Sequence, residues 1–70
     1  MQTATVEFRL IKIPEVEQRT GLSRASIYRL AREGKFPSPF KIGIRASAFD
    51  AAAVDEWIHA RIAEARRDAA

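Results

Sequence analysis

The sequence contains no cysteine and a single histidine, and its apolar residues never run for more than four positions. Without cysteine the chain can form neither a disulfide framework nor a thiolate zinc site. Such runs are far too short for a membrane-spanning helix, which needs about 20 apolar residues, and the first residues lack the apolar segment of a secretion signal. We therefore expect a cytoplasmic protein with no membrane partner.

The groups needed for catalysis are also scarce. The histidine, His59, follows Glu56 at E-x-x-H spacing on a predicted helix, but a di-iron site needs that motif from two helices and further glutamates. Neither a glycine-rich phosphate loop nor a nucleophile elbow occurs. We expect no enzymatic activity, no cofactor and no metal site.

The 70 residues correspond to one small domain. A domain of this size buries only about 60% of the surface that its unfolded chain exposes. Thirteen of the apolar residues are alanines, which leaves 20 larger apolar side chains. That number suits one compact core without an internal substrate cavity.

Positive charge is concentrated in the middle of the chain. The net charge is +3, yet residues 24–45 alone carry six basic residues against one acid, Glu33, a local net of +5. The remaining residues sum to −2. Segregated charge of this kind is typical of a nucleic-acid-binding surface, whereas a merely solvated surface would mix the two signs.

Capping signals predict two helices in the first half. Residues 1–7 have no periodicity and are expected to form a flexible arm, followed by a short strand or an extended segment at 8–11. Pro14 suits the first turn of a helix, and Gly21 suits the residue after its end. Ser23 is a good N-cap for a second helix that ends at Gly34. Two helices joined by about three residues match a helix-turn-helix.

A hairpin follows. Pro37 and Pro39 exclude a helix between residues 36 and 39. Apolar and polar residues alternate at 40–42 and 46–49, and the intervening 43–45 predicts the turn of a β-hairpin.

The longest helix begins after Asp50, an N-cap residue, and is predicted to end near Arg67. One face of it is apolar and comprises Val54, Trp57, Ile58, Ile62 and Ala65. The predicted fold is mainly α with a small β-hairpin, a winged helix-turn-helix in the order arm, helix, turn, helix, β-wing, helix. It occupies residues 8–67 as a single domain, with a C-terminal tail at 68–70.

The second helix has an outward face suited to duplex DNA. Its inward residues are Ile27, Leu30 and Ala31, and its outward residues are Ala25, Arg29 and Arg32. Arginine forks read guanine in the major groove, and a small residue permits close approach or contact with a thymine methyl. Arg29 is therefore the first candidate for base readout and Arg32 the second.

Further candidates suit the DNA backbone. Phosphate contacts near this helix are expected from Ser23, Arg24, Ser26, Tyr28 and Lys35. Lys41 and Arg45 lie on the hairpin, where a wing arginine can enter the adjacent minor groove or contact phosphates.

The aromatic residues offer no stacking surface for single strands. Their spacing assigns Phe8, Phe36, Phe40, Phe49 and Trp57 to the core, and leaves Tyr28 as the one exposed aromatic. RNA binding therefore ranks last among the candidate functions.

Four blocks carry recognisable motifs, namely residues 9–16 (RLIKIPEV), 20–30 (TGLSRASIYRL), 33–43 (EGKFPSPFKIG) and 54–58 (VDEWI). Together they resemble the AlpA-type regulators of prophages and other mobile elements. The layout is also similar to phage excisionases and, more distantly, to the DNA-binding domains of the MerR group.

The resemblance implies a small winged helix-turn-helix protein that activates or represses promoters, often that of an integrase, or bends attachment-site DNA during excision. The DNA-contacting positions of excisionases would fall on Ala25, Tyr28, Arg29, Arg32 and Arg45. Two positions depart from the family pattern. Glu17 stands where a small or apolar residue is usual, and would either pair with an arginine or mark an altered helix angle. Ala48-Phe49 replaces a glycine and a tryptophan, and Phe49 is expected to fill the same space.

We therefore expect a sequence-specific, double-stranded-DNA-binding protein of a prophage or mobile element, associated with the bacterial nucleoid and acting as a transcriptional regulator, an excisionase or both. Its expected partners are duplex DNA, further copies of itself on repeated sites, and an integrase. The alternative is a protein-interaction module, such as an anti-repressor or integrase partner, that uses the last helix.

Salt dependence separates these two hypotheses. DNA binding predicts that the logarithm of the association constant falls with the logarithm of salt concentration by about 0.9 per phosphate contacted. A protein-interaction module predicts partner binding that changes little with salt. A salt-titrated gel shift on duplex DNA measures the slope, and a slope near zero would contradict the DNA hypothesis.

Overall fold

The computed structural model describes residues 8–69 and consists, in that range, of three helices and three short strands. In chain order these are β1 (Leu10–Ile11), α1 (Ile13–Thr20), α2 (Arg24–Arg32), β2 (Phe40–Gly43), β3 (Ala46–Asp50) and α3 (Ala51–Ala69). The predicted arm at 1–7 lies outside the described residues. The molecule is mostly helical with a small antiparallel sheet, which is compatible with a winged-helix-like fold.

Local capping signals place α1 and α2 as predicted. Pro14 lies in the first turn of α1, and Gly21 follows its last residue with a φ of 76°, a conformation that glycine adopts without a steric penalty. The Gly21 N–H donates to the carbonyl four residues earlier at 2.8 Å. The Ser23 Oγ accepts the Ser26 N–H at 3.1 Å and caps α2. Three residues therefore suffice to connect the two helices.

β3 is the central strand of the sheet. It pairs antiparallel with β1 on one side and with β2 on the other. Ile11 lies opposite Phe49, and Phe40 lies opposite Ala48. The predicted hairpin is thus confirmed, with an irregularity between Lys41 and Gly43. Of the two possibilities for the segment before α1, the structure contains the short strand.

The core lies where α1, α2, α3 and the central strand meet. Its fully buried side chains are Val16 from α1, Ile27 from α2, Phe49 from β3 and Val54 from α3. Each element contributes one of them, so the four are held together by burial of the same apolar cluster. Ile27 is thereby confirmed as an inward residue of α2.

An aromatic group ties the loop after α2 to α3. Phe36 packs edge-on against Phe49 and Trp57, with ring centroids 6.0 and 4.8 Å away. The Trp57 Nε1–H donates to the Lys35 carbonyl oxygen at 2.7 Å. The assignment of Phe36, Phe49 and Trp57 to the core is confirmed, and Phe49 occupies the buried position expected of it.

The same assignment is wrong for Phe8 and Phe40, whose side chains are 76% and 55% exposed. Phe8 precedes β1 and is not part of any element. Phe40 lies on β2, an edge strand whose four residues are all exposed. Alternation predicted a buried face for this strand, but no further layer of the described chain covers it.

α3 is longer and less buried than predicted. The Asp50 Oδ1 accepts the Ala52 N–H at 3.1 Å, which confirms the cap. The helix ends at Ala69, inside the predicted tail, rather than near Arg67. Residues 59–69 are all exposed, so Ile62 and Ala65 do not continue the packed face. Within residues 8–69 no helix combines the length and apolarity needed to cross a membrane.

Phe49 and Phe40 provide a matched test of this core. Phe49→Ala should reduce the free energy of unfolding by about 3–5 kcal/mol, because it leaves a cavity at a fully buried site. That is a large part of the roughly 4–10 kcal/mol expected for a chain of this length. Phe40→Ala should cost less than about 1 kcal/mol, since half of the ring is already in water.

Urea unfolding followed by circular dichroism measures both free energies. Phe49→Leu, which retains more of the buried volume, provides an intermediate value if Phe49→Ala is largely unfolded. Equal losses for the two alanine variants would contradict the central position of Phe49.

Candidate nucleic-acid interface

α2 presents the outward face that its sequence predicts. Ile27 is buried against the core, and Ala25, Arg29 and Arg32 on the other side are exposed. Leu30 and Ala31 are half-buried and pack on the edge of the core. The two arginines therefore project from a helix whose opposite side is fixed by packing.

The hydroxyl groups at the start of α2 bond to one another. The Ser23 Oγ accepts the Ser26 N–H at 3.1 Å and donates to the Ser26 Oγ at 3.0 Å. Ser23 is exposed and Ser26 is half-buried. Both were candidates for phosphate contacts, and the structure gives them a capping role as well.

Tyr28 is half-buried, so the prediction that it is exposed is wrong. Its ring packs against Phe49, with centroids 6.1 Å apart, because the flank of α2 that carries it faces the hydrophobic core. The other side of the ring supports Arg24, whose Cζ lies 5.5 Å from the centroid. This cation–π contact restrains the Arg24 guanidinium at the surface.

Glu33 lies beside the first candidate for base readout. Its carboxylate is 3.8 Å from a guanidinium nitrogen of Arg29 and 3.6 Å from the Lys35 Nζ. The Arg29 side chain is 55% exposed, and the pairs lie on the surface, where such contacts are weak. Arg29 is thus free to turn toward a ligand, at the cost of this pair. The i,i+4 spacing of Arg29 and Glu33 is a signal in the sequence that the Glu33 carboxylate can compete with a ligand for Arg29.

The two cations of the hairpin are exposed to solvent. Lys41 lies on β2 and Arg45 lies in the turn between β2 and β3, and both are exposed. Neither forms an ion pair with a residue between 8 and 69. Ile44, next to Arg45 in the turn, is 92% exposed.

Acidic side chains pair on a different part of the molecule. Arg19 joins Glu15 at 2.8 Å within α1 and reaches Asp55 of α3 at 2.9 Å, and Arg9 adds a second contact to Glu15 at 3.3 Å. The hydrogen bond to Glu15, together with the two carboxylate charges, raises the pKa of Arg19 above its ordinary value. This arginine stays protonated at physiological pH and links α1 to α3.

Glu17 does not belong to this network. It is half-buried, and its side chain forms no ion pair with any residue in the described range. Of the two roles considered for it, pairing with a neighbouring arginine is therefore not seen.

Sequence reasoning missed one cation near α2. A cleft of about 410 Å³ lies between the start of α1, the start of α2 and the hairpin, and Lys12, Arg24 and Arg45 line it. Lys12 lies outside the basic segment 24–45, twelve residues before Arg24, so only the folded chain brings the three together.

The sequence matches the family model described as prophage CP4-57 regulatory protein (AlpA) over residues 9–62. It is 39% identical over 59 residues to uncharacterized protein ORF88 of enterobacteria phage P4, covering 84% of this chain and 67% of that protein. It is 30% identical over 59 residues to the DNA-binding transcriptional activator AlpA of Escherichia coli (strain K12), covering 76% of this chain and 84% of that protein. No solved structure shows significant similarity to the chain.

Removing the charge of Glu33 should strengthen binding to duplex DNA. Glu33→Gln frees Arg29 and Lys35 from surface pairs of about 0.2–1 kcal/mol, and we expect binding about two to five times tighter. The effect should shrink as salt rises, because salt screens both the pairs and the DNA.

Glu56→Gln is the matched control, since it makes the same change in net charge at an exposed position on α3. Fluorescence anisotropy with a labelled duplex measures both variants. An equal gain for Glu56→Gln would assign the effect to net charge and not to the side chains around Glu33.

Proposed function

Since the chain belongs to the AlpA family of prophage regulatory proteins, we propose that it is a double-stranded-DNA-binding regulator of a prophage or other mobile element. Binding of duplex DNA in the bacterial nucleoid is its central activity. The E. coli relative is described as a DNA-binding transcriptional activator, and regulation of transcription is the corresponding role here.

The observation that carries this proposal is a group of cations in the basic segment that have no acidic partner among the described residues. Arg9, Arg19 and Arg61 are paired with carboxylates outside the basic segment. Within residues 24–45, Glu33 is the only acid, and four cations form no ion pair with any described residue. These are Arg24, Arg32, Lys41 and Arg45. A surface of this kind attracts a polyanion and lowers its own repulsion by binding one.

We propose that the domain acts as a winged helix-turn-helix. α1 and α2 form the helix pair, α2 enters the major groove, and the β2–β3 hairpin is the wing. Arg29 reads a base edge, Arg32 contributes a second contact, and Ala25 permits close approach. Ser23, Arg24, Ser26, Tyr28 and Lys35 are candidates for backbone contacts around α2.

The wing is proposed to bind beside α2. Arg45 extends from the turn into the neighbouring minor groove or onto its phosphates, and Lys41 supports it on the backbone. Ile44 is almost fully exposed at the same turn. An apolar residue beside Arg45 suits contact with sugar rings along a groove wall.

One domain provides limited specificity. A single module of this kind buries about 600–1,000 Å² against DNA. We therefore propose that several copies bind repeated sites. The second form of the proposed function is control of excision. In this role, copies of the protein bind repeated sites in attachment-site DNA and bend it.

The exposed second half of α3 favours one other candidate function. Residues 59–69 contact solvent throughout, and Ile62 is 42% exposed among them. This segment suits a protein partner, such as an integrase or a repressor, and makes a protein-interaction module the alternative. The two functions are compatible because the segment is separate from α2 and the wing.

Arg29→Ala tests base readout. Loss of a fork to guanine should weaken binding to the preferred duplex by about 1–3 kcal/mol and relax specificity at one position of the site. Preferred duplexes are first selected from a randomised pool with the parent protein. Affinity for a selected and a scrambled duplex is then measured at fixed salt.

Arg66→Ala serves as the control, since it removes the same charge from the exposed end of α3. Arg66→Ala should weaken binding to both duplexes slightly and by the same factor. If Arg29→Ala retained the parent's ratio of affinities for the two duplexes, Arg29 would not read a base. If the parent bound neither duplex, the proposed function itself would be wrong.

A further inference from the structure

Three cations from three different parts of the chain converge on one surface cleft. Lys12 precedes α1, Arg24 is the first residue of α2, and Arg45 lies in the wing turn. The cleft measures about 410 Å³, and no aspartate or glutamate between residues 8 and 69 lines it. Tyr28 and Ser47, whose side chains carry hydroxyl groups, also line it. Its described lining therefore combines cationic and neutral side chains and contains no carboxylate.

The fold does not neutralise these cations. None of the three forms an ion pair with a residue in the described range of 8–69. Neighbouring like charges repel, and a bound anion removes that repulsion. The Arg24 guanidinium also lies over the Tyr28 ring, 5.5 Å from its centroid. Because this contact already restrains the side chain, Arg24 loses less conformational entropy when it binds an anion.

The position of the cleft selects the kind of anion. It lies between the start of α2 and the wing turn, the two elements proposed above to bind neighbouring grooves. The strand of duplex DNA that separates a major groove from the next minor groove would pass between them. Lys12, Arg24 and Arg45 are all exposed, which suits a polymer backbone passing over the surface and not a small anion that must be enclosed.

We propose that this cleft holds one phosphodiester of the DNA backbone and that Lys12 is a further DNA-binding residue. The inference rests on the proposed function, because it names the part of the duplex that this surface takes. Lys12 contributes affinity without base readout, since a phosphate contact carries no direct sequence information. Together the three cations fix the register of α2 relative to the wing.

Lys12 can be changed without loss of the α1 cap. Its backbone carbonyl accepts N–H groups of the first turn at 3.0 and 3.1 Å, but its side chain makes no capping hydrogen bond. Lys12→Gln therefore removes the charge and leaves the helix start intact. Lys12→Arg restores the charge, and Arg66→Gln removes one charge from the far end of α3 as the matched control.

The test measures affinity for a selected and a scrambled duplex between about 50 and 200 mM salt, the range over which phosphate contacts change affinity strongly. Lys12→Gln should reduce the slope of log association constant against log salt concentration by about 0.9. It should weaken binding to both duplexes by the same factor. Lys12→Arg should restore the parent slope, and Arg66→Gln should leave it unchanged. Circular dichroism should show the same fold in all variants.

Three other outcomes would each contradict the cleft proposal or the proposed function. If the parent binds both duplexes and Lys12→Gln keeps its slope, the cleft holds no phosphodiester although the protein binds DNA. If the parent binds no duplex, the proposed function fails first. If inorganic phosphate binds the parent but not Lys12→Gln, while the two proteins bind DNA with the same affinity and salt slope, the cleft takes a free anion and the assignment to the DNA backbone is wrong.

Discussion

Burial of the Phe49 side chain is the constraint on which the other parts of the molecule depend. Phe49 lies on the central strand, pairs across the sheet with Ile11, and packs against Tyr28 of α2 and Phe36 of the following loop. One ring thus connects the sheet to α2 and, through Phe36, to α3. In a chain of 70 residues few such connections are available, so the orientation of α2 relative to the hairpin depends on this one.

The distribution of charge follows from the same arrangement. Packing α1 beside α3 brings Arg19 to Asp55, and Glu15 and Asp55 of these helices both pair with Arg19. Among residues 8–69, α2 and the hairpin form no ion pair with these acids and retain their positive charge, apart from the local contacts of Glu33. The fold therefore separates a balanced surface from a cationic one. This separation supports the proposal of a polyanionic partner more strongly than the net charge of +3 does.

The accuracy of the sequence-based predictions varied with the kind of signal used. Helix ends were predicted well because Pro14, Gly21 and Ser23 act on the backbone within a few residues. Burial was predicted less well, because alternation and helical spacing show which residues share a face but not whether anything covers it. Phe40 shares a face of the hairpin and Ile62 shares a face of α3, yet both are exposed. Tyr28 shows the reverse error, since its partner Phe49 is distant in the chain.

The sequence by itself determined the order of the elements, the outward face of α2 and the basic segment 24–45, because each depends on residues close together in the chain. Only the tertiary structure decided which cations share a site. Lys12 joins Arg24 and Arg45 because the start of α1, the start of α2 and the turn of the β2–β3 hairpin surround one cleft. That proximity results from packing around a common core, and no local pattern along the chain encodes it.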